Sequence, residues 1–173
     1  MITDILLYLL RFIGLVAVQV VVLNNIQFSG YINPFVYIMF IQTLPVKTPK
    51  TLVMVIAFFT GLVVDMFQNT MGMHAAACVF MAYTRPALLR FFAPRDGYDT
   101  DAVPSVKQMG FTWFLIYASC ATLIHHMVLF YIEVFRFTEF FTTFVRVLLS
   151  SIASLVTILV AQFMISKPER EKP

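Results

Sequence analysis

Five ionisable side chains lie within or beside strongly hydrophobic stretches, which makes them the first candidates for chemistry: Asp65, His74, His125, His126 and Arg146. A charged side chain at the centre of a membrane-spanning helix costs roughly 2.5–3.5 kcal/mol, so such groups usually face the protein interior and have a partner. The arrangement of lowest free energy pairs Asp65 with Arg146 or with a histidine. Three interpretations stay open: a polar cluster that fixes helix packing, a pocket that handles a ligand or protons, and a metal site.

Metal binding and catalysis have the weakest support. Adjacent residues project about 100° apart on a helix, so His125 and His126 are poor co-ligands. No compact ligand pair such as H-E-x-x-H occurs, and neither a phosphate-binding loop, a nucleophile elbow nor a dinucleotide-binding glycine motif is found. The carboxylates other than Asp65 lie in loops, helix ends or the tail. We therefore predict a non-enzymatic protein with no metal site and no cofactor.

The composition is typical of an integral membrane protein. Of the 173 residues, 60% are hydrophobic and only 12% are charged, whereas a soluble domain is about 45–50% apolar and about 25% charged. No basic run with interleaved aromatic residues favours a nucleic-acid surface. Cys78 and Cys120 both lie in apolar runs and are predicted to be small buried hydrophobic residues without a disulfide.

The hydrophobic stretches predict one all-α domain over residues 1–173, a polytopic membrane protein with six transmembrane helices. A hydrocarbon core of about 30 Å requires about 20 residues per helix. The predicted spans cover residues 5–23, 32–44, 51–67, 73–92, 109–132 and 140–165. The second span is short enough to be re-entrant or partly buried instead of fully crossing. Residues 93–108 are predicted to be a polar loop, and residues 166–173 a charged tail.

The orientation follows from the distribution of lysine and arginine, which favour cytoplasmic loops. The loops after the second and fourth predicted spans and the tail are basic, whereas the other loops contain only Arg136. This alternation predicts an even number of crossings, with both termini, the 93–108 loop and the 166–173 tail in the cytoplasm. It also places the five ionisable residues in the outer half of the bundle, where they can converge.

Other features of the predicted spans have a packing interpretation and an alternative. Arg11 is expected to extend to the lipid headgroups, or to face another helix or a partner. Small residues follow helical spacing on the last two spans and are expected to pack internally, or to dock another protein; they are Ala118, Ala121, Thr122, Ser150, Ser154, Thr157 and Ala161. Four tyrosines near predicted interfaces suit an aromatic belt: Tyr31, Tyr37, Tyr98 and Tyr131.

The segment from residue 61 to residue 75 contains a motif. A G-L-x-x-D stretch closes one helix, a short polar turn follows, and G-x-[HR]-A opens the next helix. The matching residues are Gly61, Leu62, Asp65, Gly72, His74 and Ala75. This motif, together with the chain length, the number of spans and Asn33-Pro34 before the second span, resembles the rod shape-determining protein MreD family.

The resemblance implies a non-enzymatic scaffold of the bacterial cell-elongation machinery, located in the inner membrane among its lipids. Proteins of this family associate with MreC and, with it, with MreB and the cell-wall synthases, and support peptidoglycan synthesis and rod shape. The resemblance also implies a fold like that of the substrate-binding subunits of energy-coupling-factor transporters. That likeness leaves an alternative function, a membrane transporter subunit that binds a small molecule or a lipid.

The motif has a physical interpretation as a hairpin between two helices. Gly61 allows close packing one turn before Asp65, and Gly72 permits the tight reversal into the next helix. Asp65 and His74 flank the turn and are expected to interact. We predict that this hairpin either braces the fold or presents the docking surface for MreC.

Overall fold

The computed structural model describes residues 2–25, 31–135 and 139–165. Within these ranges the regular structure is helical and includes no strand. The helices are α1 (Ile2–Ala17), which continues through a π-helical turn at Val18–Val22 and a 3-10 turn at Leu23–Asn25, α2 (Ile38–Gln42), α3 (Lys50–Gln68), α4 (Met73–Phe91), α5 (Val106–Met109), α6 (Phe111–Val134) and α7 (Phe140–Ile165).

Four helices are long and apolar enough to cross a membrane, as expected of a polytopic membrane protein. They are Leu6–Asn25, Lys50–Gln68, Phe111–Val134 and Phe140–Ile165. Their outward faces carry many large exposed hydrophobic side chains, which lipid accommodates at no cost. Helix α4 has 19 residues but is less apolar, because it includes His74, Arg85 and Arg90. It packs between α3 and α6, and its His74 and Arg85 are buried against protein, whereas Arg90, in its last turn, is exposed.

The predicted helical span over residues 32–44 is wrong for most of its length. Only Ile38–Gln42 is helical, and residues 33–36 have no regular secondary structure. Pro34 lacks a backbone N–H and disfavours the helical conformation in the residue before it, which explains why no helix begins there. This segment lies in the middle of the bundle, where Tyr37, Ile38 and Ile41 are fully buried.

The remaining predicted boundaries lie close to the observed ones. The spans predicted over residues 51–67, 73–92 and 140–165 correspond to α3, α4 and α7, and α4 continues through Pro86 to Phe91. The span predicted over 109–132 begins later, because Gly110 (φ +83°) separates the short α5 from α6. The predicted loop over 93–108 therefore includes the start of α5. The predicted tail over 166–173 lies outside the described residues.

The carbonyl groups at the end of α2 are satisfied by side chains from neighbouring helices. The Tyr117 hydroxyl of α6 donates to the carbonyl oxygen of Gln42 at 3.0 Å. The Arg85 guanidinium of α4 donates to the carbonyl oxygen of Leu44. Non-helical backbone inside a membrane protein is tolerated only where protein groups pair it, so Arg85 and Tyr117 allow the chain to leave α2 inside the bundle.

Candidate functional site

The turn between α3 and α4 is organised by the carboxylate of Asp65. Its Oδ1 accepts from the backbone N–H of His74 and its Oδ2 from that of Ala75, both at 3.0 Å. The Thr70 hydroxyl also donates to Oδ1, and the His74 ring places Nδ1 3.0 Å from the same oxygen. The first backbone N–H groups of a helix lack partners within it and carry partial positive charge. Asp65, the last-turn residue of one helix, thus caps the next.

The same hairpin requires glycine at two positions. A Cβ built on Gly61 would lie 2.4 Å from Ala75 Cα and 2.5 Å from Ala75 N, so α3 and α4 cross with their backbones in direct contact. Gly72 has φ +80°, a conformation that only glycine adopts without strain. The motif residues therefore form one structural unit: the crossing at Gly61, the turn at Gly72 and the cap by Asp65. We name the end of the bundle at which this turn lies the Asp65 end.

Three histidines surround Phe35 in the bundle interior. The centroid of the Phe35 ring lies 5.4 Å from that of His74, 6.1 Å from that of His125 and 5.3 Å from that of His126. His125 Nε2 lies 2.9 Å from the Tyr37 hydroxyl, and both residues are fully buried. The assignment of Tyr37 to an aromatic belt is therefore wrong, because the non-helical segment 33–36 places it in the centre of the bundle.

The non-helical segment 33–36 obtains most of its backbone hydrogen bonds from side chains. Gln19, in the π-helical turn after α1, accepts from Val36 N–H at 2.8 Å and donates to the Pro34 carbonyl at 3.1 Å. On the other side, the Phe35 N–H donates to Ser154 Oγ at 2.7 Å. The Asn33 N–H donates to Ser150 Oγ at 3.1 Å.

Ser150 and Ser154 are both fully buried. They belong to the small-residue stripe predicted on α7, which is therefore internal but acts by hydrogen bonding as well as by packing. Nothing in the sequence indicated the role of Gln19, except that a glutamine lies inside an apolar run.

The protons in this network can be placed from its geometry. His126 Nδ1 lies 2.9 Å from the Thr122 carbonyl, which can only accept, so Nδ1 carries the proton. In this tautomer His126 Nε2 accepts, and the Ser154 hydroxyl, 2.9 Å away, donates to it. Ser154 thus accepts from the Phe35 backbone and donates to His126, which connects the non-helical segment 33–36 to both α6 and α7.

Replacing Ser154 by alanine is expected to destabilise the fold by about 1–3 kcal/mol, because the Phe35 N–H and His126 Nε2 both lose their partner in a buried site. Ser151 on the same helix has a buried hydroxyl without a hydrogen-bond partner. Ser151→Ala is therefore the matched control and should leave stability unchanged or raise it slightly. Reversible unfolding of both variants in mixed micelles provides the measurement, and equal losses would contradict the assigned network.

Arg146 is not the partner of Asp65. Its Nη1 donates to Glu133 Oε1 at 3.1 Å, and its Cζ lies 4.3 Å from the centroid of the Phe130 ring. Asp65 pairs instead with His74, the histidine option of the sequence prediction. His125 and His126 reach this pair only through the intervening rings of Phe35 and Tyr37. The five ionisable residues thus do not form one cluster: Asp65 pairs with His74 and Arg146 with Glu133, whereas His125 and His126 contact Tyr37 and Ser154.

A polar cavity of about 460 Å³ opens at the Asp65 end. Residues near the ends of α3 and α4, of the helix that begins at α1, and of α6 and α7 line it. The polar lining residues are Gln19, Asn24, Asn25, Asn33, Gln68, Thr70, His74, Glu133 and Arg146. Two of these residues each have a buried side-chain atom without a hydrogen-bond partner, His74 Nε2 and Arg146 Nε. Such atoms are costly unless something binds them, so this cavity is the best candidate for a ligand site.

An apolar groove lies on the opposite side of the same hairpin, between α3 and α4, with a volume of about 680 Å³. The residues that line it are Met54, Phe58, Leu62, Gly72, Ala75, Ala76, Val79, Phe80 and Tyr83. Leu62, Gly72 and Ala75 belong to the motif. Small residues at the floor of such a groove allow another helix to approach closely in lipid, so the groove is a candidate for protein contact.

The other predicted residues are placed as follows. Cys78 is buried and Cys120 half-buried, and both are free, so the prediction of burial holds fully only for Cys78. Arg11 is half-buried. Within the described ranges, no group of three or more His, Cys, Asp and Glu side chains is arranged to hold a metal ion.

Comparisons with protein-family models, with curated proteins and with solved structures yield no match for this chain.

Proposed function

We propose that this chain is a scaffold of the bacterial cell-elongation machinery in the inner membrane, which binds MreC and supports peptidoglycan synthesis. The observation that carries the proposal is the hairpin of residues 61–75. Four of the six positions of the MreD-like motif have a physical role there: Gly61 at the helix crossing, Asp65 and His74 in the cap, and Gly72 in the turn. A scaffold requires a rigid surface, and these contacts provide one.

The groove between α3 and α4 is the proposed contact for MreC. It is apolar, and the hairpin residues Leu62, Gly72 and Ala75 form part of it. In lipid, helix association depends on close van der Waals packing at small residues, which Gly72, Ala75 and Ala76 provide. The groove is also accessible from the side of the bundle, as a lateral partner requires.

The proposed topology has six crossings with both termini in the cytoplasm. Helices α1, α3, α4, α6 and α7 account for five of them. The sixth is the segment over residues 33–44, which leads from Asn33 at the Asp65 end to Leu44 and Arg85 at the other end. Its non-helical half forms hydrogen bonds with Gln19, Ser150 and Ser154, which supports a crossing that is only partly helical. The Asp65 end then faces the periplasm.

The proposal is tested by overfilling the groove. Ala76 is exposed in the groove, and its side chain forms none of the hairpin contacts, so Ala76→Phe should leave the fold intact. We expect co-purification with MreC to fall roughly tenfold, since an overpacked contact costs about 1–3 kcal/mol. Val156→Phe, at an exposed site of α7, is the control and should leave the complex unchanged. An undiminished yield with Ala76→Phe would remove this docking surface.

The alternative, a transporter subunit that binds a small molecule or a lipid, is favoured by one observation, the polar cavity at the Asp65 end. A transporter subunit additionally needs a coupling surface for an ATPase module. Co-purification discriminates between the two: recovery with an ATPase and a coupling subunit, in the absence of MreC, would favour the transporter.

A further inference from the structure

We infer that the cavity at the Asp65 end binds a phosphate ester that carries a free hydroxyl group, with Arg146 holding the phosphate and His74 the hydroxyl. This inference goes beyond the scaffold role and does not depend on it. Two ligands share the chemistry: the headgroup of a lipid such as phosphatidylglycerol, and a soluble ester such as glycerol 3-phosphate.

The guanidinium of Arg146 is held in place with one edge unused. Glu133 occupies Nη1, and the Phe130 ring supports the guanidinium face at 4.3 Å. Nε is buried and has no hydrogen-bond partner. The edge formed by Nε and Nη2 is the fork that binds a phosphate through two parallel hydrogen bonds. Glu133 and Phe130 fix the orientation of this fork in advance, which lowers the entropy lost on binding.

His74 contributes a different group to the same cavity. Its Nδ1 faces Asp65 Oδ1, a carboxylate oxygen that can only accept, so Nδ1 carries the proton. Its Nε2 then has a free lone pair, and this atom is buried and without a partner. A lone pair accepts an alcohol O–H but not a phosphate oxygen. The cavity thus has a donor fork for the anion and an acceptor for a hydroxyl.

The carboxylates near the cavity leave this arrangement open to an anion. Asp65 already accepts from His74 N, Ala75 N, Thr70 Oγ1 and the His74 ring. Glu133 contacts Arg146 through one oxygen, and its side chain is 40% exposed, so water and salt screen its charge. A phosphate oxygen therefore meets the guanidinium edge on the side that Glu133 does not occupy.

The position of the cavity favours the lipid as the source of the phosphate. Its lining residues lie near helix ends, among them Asn24 after α1, Gln68 at the end of α3 and Glu133 at the end of α6. The ends of membrane-spanning helices lie at the depth of the lipid headgroups. The lining also includes Phe67, which is 59% exposed and can contact the glycerol backbone or the start of an acyl chain.

The test measures thermal unfolding of the full chain in a neutral detergent, with phosphatidylglycerol, glycerol 3-phosphate or phosphatidylcholine added. At about 100 times its dissociation constant, phosphatidylglycerol is expected to raise the Tm by about 5–10 °C.

Arg146→Gln should weaken binding at least about tenfold, because it removes a charge-assisted pair of hydrogen bonds. Arg146→Lys keeps the charge without the fork and should also bind more weakly. Lys47→Gln, the same charge change at an exposed site at the other end, should bind as the parent does.

Each outcome of this test either supports or overturns the inferred binding site. Equal stabilisation by glycerol 3-phosphate and phosphatidylglycerol supports the site and assigns it to soluble esters. Equal stabilisation by phosphatidylcholine, which has no headgroup hydroxyl, overturns the inference, as does an unchanged response in both Arg146 variants. The absence of any stabilisation overturns it too. The Tm of each variant without ligand shows whether it folds, and MreC co-purification with Arg146→Gln separates this site from the proposed scaffold role.

Discussion

Replacing Gly61 by alanine is expected to destabilise the protein by about 2–3 kcal/mol, the cost of overpacking a site that cannot relax. The added Cβ would lie 2.4 Å from Ala75 Cα, 2.5 Å from Ala75 N and 2.6 Å from the His74 carbonyl oxygen. All three atoms belong to the backbone of α4, so no side-chain rotation can relieve the contact. The two helices must separate, and this separation also stretches the hydrogen bonds from His74 N and Ala75 N to Asp65.

Gly14 provides the matched control for this substitution. A Cβ added to Gly14 has no atom within 4 Å, and alanine favours helix over glycine by about 1 kcal/mol. Gly14→Ala should therefore be neutral or stabilising. Unfolding by sodium dodecyl sulfate in mixed micelles measures both variants on one scale. If Gly61→Ala proved as stable as the parent chain, α3 and α4 could not cross with the backbone contact described.

The hairpin could be predicted from the sequence because its contacts are local. Asp65 and His74 are nine positions apart, and the glycines mark the turn and the crossing. The non-helical segment 33–36 could not be predicted in the same way, since its stability depends on partners distant in the chain. Phe35 binds Ser154, 119 positions away, and Val36 binds Gln19, 17 positions away. Hydropathy alone favours a short helix there, because it depends on the apolar side chains and not on the hydrogen bonds of the backbone groups.

Tyr37 and Arg146 illustrate the same limit at the candidate site. A tyrosine beside a predicted interface suits an aromatic belt, but the non-helical segment 33–36 places Tyr37 in the interior, beside His125. The partner of Arg146 is Glu133, whose assignment to a loop placed it outside the cluster. The sequence predicted that ionisable residues gather at one end of the bundle. Which of them pair depends on side-chain geometry that spacing does not encode.

The hairpin contributes to both candidate binding features. Gly72 and Ala75 line the apolar groove, whereas Thr70 and His74 line the polar cavity. A substitution in the hairpin therefore changes the groove and the cavity together and cannot assign a function to either. Ala76 and Arg146 avoid this ambiguity because each lines only one of the two and lies outside the cap.

Replacing Asp65 by alanine is expected to destabilise the protein by about 3–4 kcal/mol. Asp65 is 2% exposed, and its removal leaves the N–H groups of His74 and Ala75 and the His74 ring without their acceptor. A buried donor left without its acceptor typically costs about 1–3 kcal/mol, and the loss of a helix cap about 1 kcal/mol. These terms overlap here, because the same two oxygens supply both.

Asparagine at position 65 separates the charge from the cap. Asp65→Asn keeps one oxygen acceptor and loses the other, so a smaller loss of about 1–2 kcal/mol is expected. Asp101→Ala is the control for removing a carboxylate: its partner is Lys47, both side chains are more than half exposed, and stability should not change measurably. The same micelle unfolding assay ranks the three variants. If Asp65→Asn matched the parent chain in stability and in MreC binding, the carboxylate charge would be unnecessary, and Asp65 would act through hydrogen bonding alone.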